Sequence, residues 1–232
     1  MTLSPVVFLP GLLCDVALWR PVTDRLADIA APLVADLTLD NSVKEMAART
    51  LAAAPARFSL AGLSMGGYVA FEIMRQAPER VERLALMATS ALADSPEQTA
   101  NRRAGMAQIG EGKFIGVAGS LLPRLVHPDH VDDEIGRTVQ AMAERVGAEA
   151  YLRQQEAILG RPDSRATLAT ITCPTVMIVG DDDILTPVEQ GMIIHQGIAG
   201  SELYELPYCA HLPPLEQPEK VSGILRRWLT HS

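Results

Sequence analysis

The stretch FSLAGLSMGGYVAFEIM, Phe58 to Met74, joins a short apolar run to a helical pattern through a single serine, Ser64. Gly62 and Gly66 flank this serine. A strand that turns directly into a helix holds the residue between them in a strained conformation, and small neighbours let such a turn pack. The pattern predicts a hydroxyl raised above the sheet edge, beside helical N–H groups that favour negative charge. The alternative is a plain hydroxyl in a glycine-rich turn.

Short apolar runs of the same kind recur along the chain and alternate with longer helical patterns, which is typical of βαβ units and a parallel sheet. Continuous apolar runs indicate strands covered on both faces. The predicted strands are residues 5–10, 31–36, 57–63, 83–89, 175–181 and 201–207. The predicted helices are residues 19–29, 42–54, 65–77, 188–198 and 218–232. We therefore expect an α/β fold, a mostly parallel six-stranded sheet with helices on both faces.

One interval, residues 92–168, contains helical patterns and no convincing strand. A loop of that length would not stay structureless inside a compact domain. We expect a helical insertion between two strands of the sheet. This divides the chain into a core of residues 1–91 and 169–232 and a helical cap of residues 92–168.

Composition excludes several classes of protein. The formal net charge is −8, and Lys and Arg are not clustered, which argues against a nucleic-acid or anionic membrane surface. The apolar amino terminus has neither a basic segment before it nor a small-residue cleavage site after it, so we expect a cytoplasmic protein. The three cysteines are far apart and suggest no disulfide framework or zinc site. We expect no metal and no organic cofactor.

A nucleophilic serine needs a histidine base that is held by an acid. His211 follows the last predicted strand and precedes the last helix, which places it above the same sheet edge as Ser64. His195 lies within a helical pattern and His231 at the chain terminus, so both are weaker candidates.

The acid is expected at another strand end, and the run GDDDILTP supplies three aspartates. Asp183 is the preferred residue because it lies far enough from the strand to reach inward. The other aspartates that follow strands are weaker candidates: Asp36, Asp94, Asp181 and Asp182. The order Ser64, Asp183, His211 along the chain predicts a catalytic triad.

The oxyanion of a tetrahedral intermediate also needs hydrogen-bond donors. The backbone N–H of Met65 follows the nucleophile directly. The loop after the first strand supplies a second candidate, the N–H of Leu12, because Gly11 permits close approach. The alternative is that Pro10 and Gly11 form only a turn.

These motifs together resemble the α/β-hydrolase family. GLSMGG is similar to its nucleophile elbow, GDDDILTP to its acid loop, CAHLPPLEQPEKV to its histidine loop and FLPG to its first oxyanion loop. Three departures concern the outline of the pocket. The chain begins at what would be the family's third strand, Pro10 stands where histidine is common, and the loop DLTLDNS is short.

The resemblance implies a serine hydrolase, and a small carboxylic ester is the leading substrate class. Thioester cleavage, carbon–carbon bond hydrolysis, amide or peptide cleavage and acyl transfer by the same triad remain open, because fold does not fix substrate. So do a ligand receptor with negligible turnover and a cofactor-free oxygenase or lyase that uses His211 as base. Apolar cap residues either line an acyl site or pack the cap onto the sheet: Met106, Ile109, Phe114, Ile115, Leu121 and Leu122.

Overall fold

The computed structural model describes residues 3–110 and 114–230, without the side chains of residues 110 and 115–118. Its centre is a six-stranded sheet in the order β2-β1-β3-β4-β5-β6, and all five strand pairs are parallel. The strands are β1 (Ser4–Leu9), β2 (Ala30–Val34), β3 (Phe58–Leu63), β4 (Val81–Met87), β5 (Thr175–Gly180) and β6 (Glu202–Leu206). The predicted α/β fold and its six strands are confirmed.

Helices cover both faces of the sheet. Those of the predicted core are α1 (Val16–Arg25), α2 (Val43–Ala53), α3 (Met65–Gln76), α8 (Val188–Gly197), α9 (Pro213–Glu216) and α10 (Pro218–Thr230). Two helix starts are fixed by side-chain caps. Asp15 accepts the Ala17 N–H at 2.8 Å, and Ser42 accepts the Glu45 N–H at 3.2 Å. Such caps satisfy N–H groups that have no partner inside the helix.

Successive residues of β1 point into two different apolar cores, as the two-residue period of a strand requires. Val7 and Leu9 pack with α2 and α3, whereas Val6 and Phe8 pack with α1 and α10. The sheet is therefore covered on both faces, and its carboxyl edge is the surface on which the ends of β1, β3 and β5 meet.

The segment between β4 and β5 is helical, and the structure places no strand in its described residues. Its helices are α4 (Pro96–Gly110), α5 (Phe114–Leu125), α6 (Glu134–Leu159) and α7 (Arg165–Leu168). Helix α6 breaks at Gly147, whose φ is 78°. At the base of the segment Asp94 pairs with Arg102 at 2.6 Å and with Arg161 at 2.7 Å. The assignment of residues 92–168 as a cap stays a prediction.

Across residues 3–110 and 114–230, every helix is too short or too polar to cross a membrane.

Candidate active site

Ser64 sits at the turn from β3 into α3 with φ 53° and ψ −114°, a conformation that residues with a side chain rarely adopt. Hydrogen bonds from neighbouring segments hold it. Its N–H donates to the Met87 carbonyl at 2.9 Å, and Thr89 Oγ1 donates to the Ser64 carbonyl at 2.8 Å. A Cβ at Gly66 would lie 2.1 Å from the Leu9 carbonyl oxygen, so only glycine lets α3 start against the end of β1. The turn expected from the sequence is present.

His211 and Asp183 reach Ser64 from the loops that follow β6 and β5. His211 Nε2 lies 2.9 Å from Ser64 Oγ, and His211 Nδ1 lies 2.7 Å from Asp183 Oδ2. Because an ionised carboxylate can only accept, Nδ1 carries the proton and Nε2 is free to accept the serine proton. The histidine and the aspartate are each 3% exposed, whereas the serine is partly exposed.

The Asp183 carboxylate is held by its own loop as well as by His211. Oδ1 accepts the N–H groups of Leu185 at 2.8 Å and Thr186 at 3.0 Å, and the Thr186 hydroxyl donates to Oδ2 at 2.7 Å. Burial alone would raise the pKa of the Asp183 carboxyl. The charge and hydrogen bond of His211, together with the hydrogen bonds from Thr186, outweigh the effect of burial, so this pKa lies below its usual value. The carboxylate is therefore ionised at neutral pH. Thr186 was missed by the sequence reasoning, although an aspartate three residues before a threonine is a recognisable turn pattern.

The weaker candidates take other places. Asp181 and Asp182 are exposed to solvent. Asp94 forms ion pairs with Arg102 and Arg161. Asp36 accepts from the Thr38 hydroxyl at 2.6 Å, and His195 Nδ1 faces Ser201 Oγ at 2.9 Å. His231 lies outside the described residues.

The loop after β1 passes directly beside the nucleophile. A Cβ at Gly11 would lie 3.1 Å from Leu63 Cδ2, and Leu63 precedes Ser64. The loop closes as a turn in which the Cys14 N–H donates to the Gly11 carbonyl at 3.1 Å. Among the residues that the structure describes, the Leu12 N–H has no hydrogen-bond acceptor. Met65 opens α3, where backbone N–H groups have no acceptor inside the helix. Both N–H groups thus belong to segments at the carboxyl edge of the sheet, and their role as oxyanion donors stays a prediction.

Glu216 was also missed, and it fixes the loop that carries His211. Its buried carboxylate accepts the N–H of Ala210 at 3.1 Å and of Leu212 at 2.8 Å, on either side of the histidine. It also accepts the His127 N–H at 2.8 Å, from the segment between β4 and β5. The His211 N–H itself donates to the Leu125 carbonyl at 3.1 Å. The helical segment and the histidine loop are therefore tied together.

We expect Glu216→Ala to lower both stability and turnover. It leaves three N–H groups without their acceptor, two of them in buried hydrogen bonds, and the free energy of unfolding should fall by about 2–4 kcal/mol. Turnover should fall roughly tenfold or more, because a small misplacement of a catalytic group is costly. Urea unfolding and kcat on a p-nitrophenyl ester measure the two effects.

Glu219→Ala is the matched control for this experiment. Glu219 pairs with Arg25 on the surface, and its side chain is 72% exposed, so its loss should change neither quantity appreciably. If Glu216→Ala behaved like Glu219→Ala, the role given to Glu216 would be wrong.

An apolar cluster lies between the helical segment and the loop after β1. Its buried members are Leu13, Ile109, Ala143 and Tyr151, and Leu12, Met106, Phe114 and Leu121 pack against it. Leu122 packs instead into the core shared with α1 and α10. The side chain of Ile115 lies outside the described residues. Several predicted cap residues thus form an apolar wall against the loop that carries Leu12.

The parallel sheet, the strained serine after β3 and the buried histidine and aspartate at one sheet edge are the features of the α/β-hydrolase class. A model of the alpha/beta hydrolase family matches residues 6–224, and the chain belongs to this family. The resemblance read from the sequence motifs is confirmed.

The relatives include proteins named as esterases. A pimeloyl-[acyl-carrier protein] methyl ester esterase of Neisseria meningitidis is 30% identical over 178 residues. The match covers 71% of this chain and 66% of that relative, just under two thirds of its length.

Two solved structures share the fold over nearly the whole chain. A thermophilic esterase from Thermogutta terrifontis is 28% identical with a TM-score of 0.89, covering 98% of this chain and 90% of its own. The enol-lactonase from Burkholderia xenovorans LB400 is 24% identical with a TM-score of 0.88, and the match covers 100% of this chain and 93% of the lactonase. At that identity the lactonase shows only the fold. The family and its fold are therefore established on both sequence and structure.

Proposed function

We propose that the protein is a serine hydrolase that cleaves a small carboxylic ester through an acyl-enzyme on Ser64. The observation that carries the proposal is the continuous hydrogen-bonded path from Ser64 Oγ through the His211 ring to Asp183, with distances of 2.9 and 2.7 Å. A serine hydroxyl is a weak nucleophile at neutral pH and needs such a base.

In the proposed reaction His211 Nε2 takes the Ser64 proton as Oγ attacks the carbonyl carbon of the ester. Asp183 holds the imidazole tautomer and stabilises the imidazolium that forms. The N–H groups of Leu12 and Met65 stabilise the oxyanion of the tetrahedral intermediate. His211 then gives its proton to the leaving alcohol, and water activated by the same histidine cleaves the acyl-enzyme. No metal or organic cofactor takes part.

The substrate class is supported by the apolar wall and by the relatives. Leu12 packs against the cluster of Ile109, Tyr151 and their neighbours, so an acyl chain bound at the Leu12 N–H would meet apolar side chains. We therefore propose that residues 92–168 act as a cap over a small acyl substrate. The Neisseria relative is named for a methyl ester, which makes methyl esters of carboxylic acids a natural part of any substrate panel.

A hydrolysis profile tests the substrate class. The purified protein is offered p-nitrophenyl acetate, butyrate and octanoate, a methyl ester, an acyl thioester and a 1,5-diketone with a cleavable carbon–carbon bond. We expect the highest kcat/KM on one of the esters. A higher value on the thioester or the diketone than on every ester would show that the substrate class is wrong.

A further inference from the structure

Gln154 is a fully buried polar side chain on α6, with 0% exposure, and it joins the loops that follow β1 and β2. Its Oε1 accepts the Leu13 N–H at 3.1 Å, and its Nε2 donates to the Leu37 carbonyl at 3.2 Å. A buried amide is stable only when such bonds are made, and removing it leaves its partners unsatisfied. Gln154 therefore fixes two loops at the sheet edge.

The loop after β1 needs this support because Leu13 has a φ of 59°. A left-handed conformation costs a residue with a side chain roughly 1–2 kcal/mol and persists only where the surroundings impose it. The Leu13 N–H belongs to the peptide group that joins Leu12 to Leu13. The hydrogen bond from Leu13 to Gln154 thus fixes the orientation of the Leu12 backbone.

A second contact from α6 reaches the same loop. Arg145 Nε lies 2.6 Å from Asp15 Oδ2, and Arg145 Nη2 lies 3.2 Å from Asp15 Oδ1. This pair is on the surface, where ion pairs contribute little, whereas the Gln154 bonds are buried. Gln154 is therefore the stronger constraint on the loop.

We propose that Gln154 is a positioning residue that aims the Leu12 N–H at the oxyanion, so that a helix of the inserted segment sets the geometry of the oxyanion hole. The inference rests on the proposed function. It predicts a defect in the transition state, because an oxyanion is present there and absent from the bound ester.

The test compares Gln154→Leu with the wild type on a p-nitrophenyl ester. We expect kcat to fall roughly 10- to 100-fold with KM changed less than about threefold, since contacts made only in the transition state act on kcat. The pH profile should keep its midpoint, because the His211–Asp183 pair is untouched. Gln154→Glu keeps an acceptor for the Leu13 N–H but loses the donor to the Leu37 carbonyl, so its kcat should lie between that of Gln154→Leu and that of the wild type.

Gln155→Leu is the matched control. Gln155 is the next residue of α6, is 3% exposed and accepts from Arg102 at 3.0 Å, and among the described residues it has no hydrogen bond to the loop after β1. Its loss should affect stability but leave kcat within about threefold of the wild type. Equal falls of kcat in Gln154→Leu and Gln155→Leu would overturn the inference, as would a wild-type kcat in Gln154→Leu.

If Gln154→Leu does not fold, Gln154→Asn replaces it. Asparagine keeps a polar amide but is one methylene too short to span both loops, so a wild-type kcat in this variant would also overturn the inference. Ser64→Ala in the same assay separates the two proposals. Unchanged turnover in Ser64→Ala refutes the proposed function. Abolished turnover in Ser64→Ala with a normal kcat in Gln154→Leu or Gln154→Asn refutes only the positioning role.

Discussion

Ser64→Ala is expected to lower kcat on p-nitrophenyl esters by at least about 1,000-fold. The substitution removes the only atom of the proposed triad that bonds to the acyl group, and loss of a triad nucleophile leaves only the contribution of binding and the oxyanion hole. The fold should be retained, because the Ser64 side chain makes its hydrogen bond to His211 alone among the described residues. Steady-state kinetics and thermal unfolding measure the two quantities.

Ser59→Ala is the matched control, because Ser59 is a buried serine on β3, the strand that directly precedes Ser64. It should leave kcat nearly unchanged. Ester turnover that persists in Ser64→Ala but disappears in His211→Ala would favour the alternative in which the histidine acts as base without a nucleophilic serine.

Asp183→Asn is expected to lower kcat by roughly 1,000- to 10,000-fold. An asparagine amide at this position favours the wrong imidazole tautomer and cannot stabilise the imidazolium. The depressed pKa of Asp183 means that the wild-type carboxylate stays ionised throughout the neutral range, so the loss should be seen at every pH at which the enzyme works. The measurement is kcat as a function of pH for wild type and variant.

Asp182→Asn is the control for this prediction. Asp182 is the adjacent residue, and its side chain is 49% exposed. Its substitution should cost no more than a fewfold change in kcat. Equal losses in the two variants would show that Asp183 is not the orienting acid.

Much of the fold could be predicted from the sequence because local pattern and burial agree in the sheet. Strands β3 and β5 are buried at every residue, and such strands read as continuous apolar runs. The segment containing α5 was harder to interpret. Gly116, Gly119 and Pro123 all disfavour a helix, yet α5 includes Pro123. Contacts with the rest of the protein override propensity there.

The three residues of the proposed triad could be located from the sequence, but the side chains that support them could not. Ser64, Asp183 and His211 each lie in a local motif at a strand end, whereas Glu216 acts on backbone groups of a loop and of the inserted segment. No spacing in the sequence indicates that an acid at the end of a short helix will be buried.

For Gln154 the sequence indicates burial but not a partner. It falls between Tyr151 and Ile158 at helical spacing, which places it on a buried face of α6. The spacing does not show which loop its amide meets, because that depends on how the inserted segment packs on the sheet.

The proposed function depends on transfer of the acyl group to Ser64 Oγ. The most direct measurement is peptide mapping by mass spectrometry after reaction with a fluorophosphonate, with ester turnover followed in parallel. We expect one adduct, located on Ser64, that forms as activity is lost. Complete inactivation with the adduct on any other residue, or full modification of Ser64 with turnover intact, would contradict it.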